Sequence, residues 1–122
     1  MVNPYDTYVK TSVETASPIK QIVLIYDKAI TLMKFTIESI KNNDLKGKID
    51  SLYEIETIIN ALDSFLDFEK GGEIAQNLHK IYQFILDQLI TVNLKNDTKL
   101  MEDLIEIMEI LKEGWEEIEK KI

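Results

Sequence analysis

Cysteine is absent from the 122 residues, and histidine occurs once. The first absence excludes a disulfide framework, cysteine ligation of zinc and thiol catalysis, and it is compatible with a reducing compartment. The scarcity of histidine removes most metal chemistry. Carboxylate-bridged di-iron bundles need Glu-x-x-His twice, and the lone His79 has Gln76 where that glutamate would stand. An all-carboxylate zinc site is a poor match to that metal's preferences. Basic charge is short as well: 14 Lys and Arg face 22 Asp and Glu, a formal net charge of −8. Phosphate backbones and anionic membrane surfaces are bound by clustered cations, so no nucleic acid and no membrane partner is expected. No apolar run approaches the roughly 20 residues that cross a bilayer. The opening MVNPYDTYVK lacks a basic stretch followed by an apolar one, so a secretory leader is not expected either.

Motifs for catalysis are missing too. Gly71-Gly72 has none of the Gly-x-x-x-x-Gly-Lys-Ser/Thr pattern that cradles phosphates, and reads as a helix break. Ser12, Ser17, Ser39, Ser51 and Ser64 stand in no nucleophile-elbow context. The expectation is a protein that is not an enzyme, with no catalytic residue, no metal and no cofactor.

What the chain does have is helical periodicity. Its length suits one domain with a core of its own, and 45% hydrophobic with 30% charged residues is ordinary for a soluble globular protein. Residues 1–14 are short on periodicity but carry Tyr5, Tyr8, Val9 and Val13. They read as an N-terminal arm or short helix that docks, ahead of a helical domain over 15–122. Ser17 and Pro18 form a helix start. At about 100° per residue, Ile19, Ile22, Val23, Tyr26, Ala29, Ile30, Met33, Ile37 and Ile40 then share one face of a helix running to about Asn42. After the turn cluster Asn42-Asn43-Asp44, a second helix to about Phe68 places Leu45, Ile49, Leu52, Ile55, Ile59, Leu62 and Leu66 on its main face. Lys70-Gly71-Gly72 breaks the pattern. A third helix carries Ile74, Leu78, Ile81, Ile85, Leu89 and Val92, and a fourth, capped by Asp97, carries Leu100, Leu104, Ile107, Leu111, Trp115 and Ile118. Four such helices with short connections predict an all-α, antiparallel up-down four-helix bundle; strand and hairpin signals are weak throughout.

The helices differ in how cleanly they divide. The fourth is amphipathic, with Glu102, Asp103, Glu106, Glu109, Glu113, Glu116 and Glu117 on an outer side that reads as a solvated face. The first has a second apolar face, Leu24, Ile25, Leu32 and Phe35. The second has Ile58, Ala61 and Phe65 displaced by about 100° from its stripe, and the third has Leu86, Ile90 and Leu94 similarly displaced. Single exposed apolar residues mean little, but a set on three helices points to a patch that a monomer seldom leaves unused. A partner surface, a self-association surface and a site covered by the arm all fit. A wider core could absorb Ile25 and Ile58.

In order and spacing, several stretches resemble the FliS family of flagellar export chaperones: Thr15-Ala16-Ser17-Pro18 with Leu24-Ile25-Tyr26-Asp27; Ile58-Ile59, Leu62 and Ser64-Phe65-Leu66-Asp67; Gly71-Gly72-Glu73-Ile74-Ala75 with Leu78, Ile81 and Tyr82; Leu89 with Val92-Asn93; Asn96-Asp97; and Trp115. One departure is Lys20, where the family commonly has an acidic residue completing a capping box. The resemblance implies a cytoplasmic chaperone that binds the C-terminal segment of flagellin, prevents its early polymerisation and aids delivery to the flagellar type III export apparatus. It implies contacts with an export-gate protein and other flagellar regulators, and an N-terminal segment that overlies part of the client site. On that basis Leu24, Ile25, Leu32, Phe35, Ile58, Phe65, Leu86 and Ile90 are the expected client anchors, with Tyr5 and Tyr8 competing for the same surface. The rival expectation is a helical homodimer or a regulatory adaptor for another flagellar-assembly protein.

Overall fold

Each helix begins where a short polar side chain can accept the N–H groups that the first turn leaves unpaired. In the computed structural model, which describes residues 17–121, Ser17 Oγ accepts from the Lys20 amide at 3.2 Å, and Asp44 accepts from Gly47 at 3.0 Å. Asp67 accepts from Glu69 and Lys70, and Asp97 from Leu100 at 2.9 Å. These caps open α1 (Pro18–Lys41), α2 (Leu45–Ser64), α3 (Phe68–Lys95) and α4 (Thr98–Lys120). No strand occurs among the described residues. Lys20 removes the reciprocal half of a capping box, yet the serine half forms, and Pro18 supplies the preset φ of the first helical position. The 1–14 segment, with Tyr5 and Tyr8, lies outside the described residues.

Turns this short leave consecutive helices antiparallel neighbours. Asn43 and Asn96 adopt left-handed φ values of 55° and 50° in two of them, a conformation Asn tolerates better than most residues. α1 packs extensively on α2 and α4. α3 closes the ring against α2 and, most thinly, against α4, while α1 and α3 face each other across the diagonal. The core is Val23, Tyr26, Ala29, Ile30, Met33 and Ile37 with Leu52, Ile55, Ile59, Leu62, Tyr82, Ile85, Leu89, Val92, Met101, Leu104, Ile105 and Met108. Tyr26 and Tyr82 span the diagonal, their hydroxyls 2.5 Å apart.

Three expectations need correction. Leu45 and Ile49 are 63% and 50% exposed, and Lys48 and Ser51 take the buried positions instead. The interior at this end is polar: Lys48 Nζ donates to the Asn93 carbonyl at 3.2 Å and to Asn96 Oδ1 at 2.9 Å, while Ser51 Oγ sits 2.7 Å from Thr36 Oγ1. Next, α2 stops at Ser64, because Asp67 caps the following helix. The glycine break survives only as a kink inside α3, with Gly72 at φ 51°, ψ −125°. Beyond the kink, Ile74 is exposed and Ala75 is buried. Finally, α4 buries Met101, Ile105 and Met108 with Leu104. Leu100, Ile107, Leu111 and Trp115 pack partly buried at the edge, and Ile118 is exposed. No helix among the described residues is long and apolar enough to cross a membrane.

Candidate functional site

Polar pairs between helices settle which flank of each helix meets which neighbour. On α1, Thr36 faces Ser51 of α2, whereas Asp27 and Lys34 pair with Lys112 at 2.6 Å and Glu109 at 3.8 Å of α4. At about 100° per residue, Ile25 and Leu32 lie on Thr36's flank and Phe35 on the rim beyond Leu32, whereas Leu24 lies on the outer side of α1, nearer the Asp27 flank. On α2, Ile58 and Phe65 lie on Ser51's flank. Ile25, Leu32, Phe35, Ile58 and Phe65 therefore line one groove, between α1 and α2. Leu24, Ile25, Leu32 and Ile58 are half-buried, the last three packed against the core, whereas Phe35 and Phe65 are exposed.

The opposite flank of α2 carries Asp63, whose carboxylate pairs with His79 Nδ1 at 2.7 Å and accepts from Gln83 Nε2 at 3.3 Å, both on α3. Leu45 and Ile49 share that flank, and Tyr53 continues the row one turn on. Leu86 and Ile90 lie on the His79 and Gln83 flank of α3, with Leu94 beyond them. The Lys48–Asn93 bond sets the antiparallel register and brings Ile90 level with Ile49 and Tyr53. This is a second groove, between α2 and α3. Tyr53 and Leu94 are 71% and 77% exposed, Ile90 is exposed, and Leu86 is half-buried against the core.

Seven of the eight expected anchors thus fall into two grooves rather than one patch, five between α1 and α2 and two between α2 and α3; Leu24 lies in neither. The outer ridge of α2, with exposed Asp50, Glu54 and Thr57, separates them. Leu45, Ile49 and Tyr53 were not among the expected anchors. The signal for them is their spacing of four residues along a row that diverges from Ile55, Ile59 and Leu62, ending on a tyrosine that the core stripe has no place for.

His79 is engaged by Asp63 and meets the Phe68 ring edge-on at 5.9 Å, which ties the start of α3 to the end of α2. No group of three or more His, Cys, Asp or Glu side chains placed to hold a metal ion occurs among the described residues. Burial pushes the Tyr26 and Tyr82 phenols above their ordinary range, so both stay neutral donors within the bundle. What the two grooves offer a partner is apolar area beside a carboxylate-bearing ridge, an arrangement suited to binding.

The family model described as "Flagellar protein FliS" matches residues 1–122. The protein named "Flagellar secretion chaperone FliS" in Salmonella typhimurium is 32% identical over 114 residues, covering 93% of this chain and 84% of that protein. Its namesake in Vibrio cholerae is 33% identical over 115 residues, covering 91% and 85%. The one in Bacillus subtilis is 24% identical over 115 residues, covering 94% and 85%. Among solved structures, a crystal structure of a bacterial flagellar chaperone superposes with a TM-score of 0.81 over 97% of this chain and 96% of that one. At 19% sequence identity it speaks for the fold alone.

Proposed function

We propose a client and a binding mode on the premise that this chain belongs to the FliS family of flagellar proteins, as its full-length match to that family shows. Its relatives are named flagellar secretion chaperones. The client is the C-terminal segment of flagellin, held in the cytoplasm before export, kept from polymerising and handed to the flagellar export apparatus. The chain does no chemistry on it. The observation that carries this reading is the pair of apolar grooves flanking α2, each open to solvent and formed between antiparallel helices.

The physics is that of an apolar-rich disordered segment ordering in a groove. Fully burying a large apolar side chain contributes about 1.5–3 kcal/mol. Covering the exposed groove residues Phe35, Phe65, Leu45, Ile49, Tyr53, Ile90 and Leu94, each about half to four-fifths exposed, therefore yields on the order of 5–15 kcal/mol gross. Ordering the client costs about 2–5 kcal/mol or more, and loss of free motion on association takes several more. The balance is a specific but releasable complex. Tyr5 and Tyr8, outside the described residues, compete for the same grooves on this reading, so deleting residues 1–14 tightens client binding.

Calorimetric titration of a flagellin C-terminal peptide is the test. Phe35→Asp probes the α1–α2 groove and Tyr53→Asp the α2–α3 groove, both at exposed positions whose change leaves the core intact. Each should weaken binding at least tenfold with an unchanged melting temperature. Unaltered affinity in both variants would refute the assignment.

A further inference from the structure

The α2–α3 groove ends in a polar hollow. Leu45, the last residue of its α2 row, also lines a cavity of about 140 Å³ together with Ser39, Asp44, Lys48 and Asn96, more room than a single water needs. The cavity lies where the α1–α2 and α3–α4 turns come together. Lys48 is 9% exposed there. Its ammonium donates to the Asn93 carbonyl and to Asn96 Oδ1, which leaves one N–H over. Both acceptors are neutral, and among the described residues no carboxylate pairs with this lysine. A charge withdrawn from water calls for a partner. Ser39, 3% exposed, has a hydroxyl that meets no partner among the described residues, and buried polar groups are seldom left so. Two donors at one cavity thus lack an acceptor. The Asp44 carboxylate lines the cavity too, but it is held as the cap on the Gly47 amide at 3.0 Å.

We propose that this hollow takes the end of the client chain. The client's terminal α-carboxylate accepts from the Lys48 ammonium and the Ser39 hydroxyl, and the apolar stretch just before it lies along Leu45, Ile49 and Ile90. Hydrogen bonds between two charged groups are the strong ones, and Lys48, placed at the C-terminal end of α3 by its bonds to Asn93 and Asn96, is fixed before the client arrives. Holding an end rather than a middle gives the client a direction. Its last stretch runs parallel to α3, toward Asn96, with its register set by the terminus. The inference rests on the reading of the client as a C-terminal segment, the one part of a chain that carries such a carboxylate.

The probe is the flagellin C-terminal peptide, titrated calorimetrically into the full chain in three forms: free acid, C-terminal amide, and free acid extended by two glycines. The free acid should bind at least tenfold tighter than either of the others. Lys48→Met should remove that advantage and leave the affinity of the amide unchanged. If Lys48→Met fails to fold, Ser39→Ala, which deletes a hydroxyl that no described residue holds, should shrink the advantage severalfold. Asp44→Asn keeps a capping side chain and removes the like charge, so it should raise the affinity of the free acid. Equal binding of the three peptides would overturn the proposal. So would a loss in Lys48→Met that acid and amide share, or weaker binding of the free acid to Asp44→Asn. If the three bind equally and Tyr53→Asp weakens them all, the client reading stands and the terminal site alone falls. If none of the three binds, both fall.

Discussion

Removing the two hydroxyls that meet across the bundle tests whether they form one coupled unit. Tyr26 and Tyr82 hold their hydroxyls 2.5 Å apart in the core. Tyr26→Phe strands the Tyr82 hydroxyl in the core. Stranding a buried polar group costs about 1–3 kcal/mol, so about 2 kcal/mol is expected. Tyr82→Phe strands the Tyr26 hydroxyl in the same way and should also cost about 2 kcal/mol. The double variant removes both hydroxyls together and should cost about 2 kcal/mol, below the sum of the singles by at least about 1 kcal/mol. Urea denaturation followed by circular dichroism measures all three. Alkaline pH gives an independent arm. Burial raises both phenol pKa values, so above pH 10 the unfolded tyrosines release protons while the folded ones keep theirs. The native state then binds more protons, and stability falls with rising pH by up to about 1.4 kcal/mol per pH unit for each tyrosine. Below pH 10 their contribution is fully present and flat. Tyr82→Phe should make the alkaline decline shallower. Strictly additive single costs, or an alkaline slope that the substitution leaves alone, would refute the coupled arrangement.

Glycine-to-alanine changes in two helices should have opposite signs. At Gly47 a Cβ would lie within 2.7 Å of Ser39 Oγ and closer still to the Asp44 carboxylate, which cannot move without giving up its cap on Gly47. Gly47→Ala should therefore lower stability by about 1 kcal/mol or more despite the better helix propensity of alanine. Gly114→Ala meets nothing and should raise stability by about 0.5–1 kcal/mol; thermal melts that agree in sign would contradict both readings. Lys48→Met keeps the packed stem but withdraws the donor from the Asn93 carbonyl and Asn96. It should cost about 1–2 kcal/mol and speed amide exchange at the α3–α4 turn, and unchanged exchange there would show the lysine to be incidental.

The fold was legible because its determinants are local. Ser17, Asp44, Asp67 and Asp97 are short acceptors placed ahead of periodic apolar stretches, and the stripes repeat at helical spacing. The facing of α2 at its start was not legible. Lys48 and Ser51 look like surface residues until Asn93, Asn96 and Thr36 are brought to them, and those partners lie far away in sequence. Given only the spacing, Leu45 and Ile49 are the better core candidates, and they take the exposed places because the interior at that end is a hydrogen-bonded cluster. The kink at Gly72 misled for a related reason. A Gly-Gly pair marks a break, but whether the chain turns there or merely bends depends on the cap at Asp67, four residues before the pair begins.

Periodicity assigns each side chain an angle on its own helix but not the neighbour that angle faces, which is why the anchors read as one patch. The polar pairs of α2 resolve this: Ser51 looks to α1 and Asp63 to α3, so its displaced apolar residues divide between opposite flanks. The consequence for the client is geometric. A single segment that engages both grooves must cross the ridge of Asp50, Glu54 and Thr57, a helix about 10–12 Å across. An extended chain spans at most about 3.3–3.6 Å per residue, so the crossing takes at least about three or four residues, best polar ones beside the two carboxylates. The client on this reading carries two apolar stretches at helical spacing joined by a short polar linker. Shortening that linker by two residues should cost it one groove, and Phe35→Asp or Tyr53→Asp, whichever groove was lost, should then no longer affect binding.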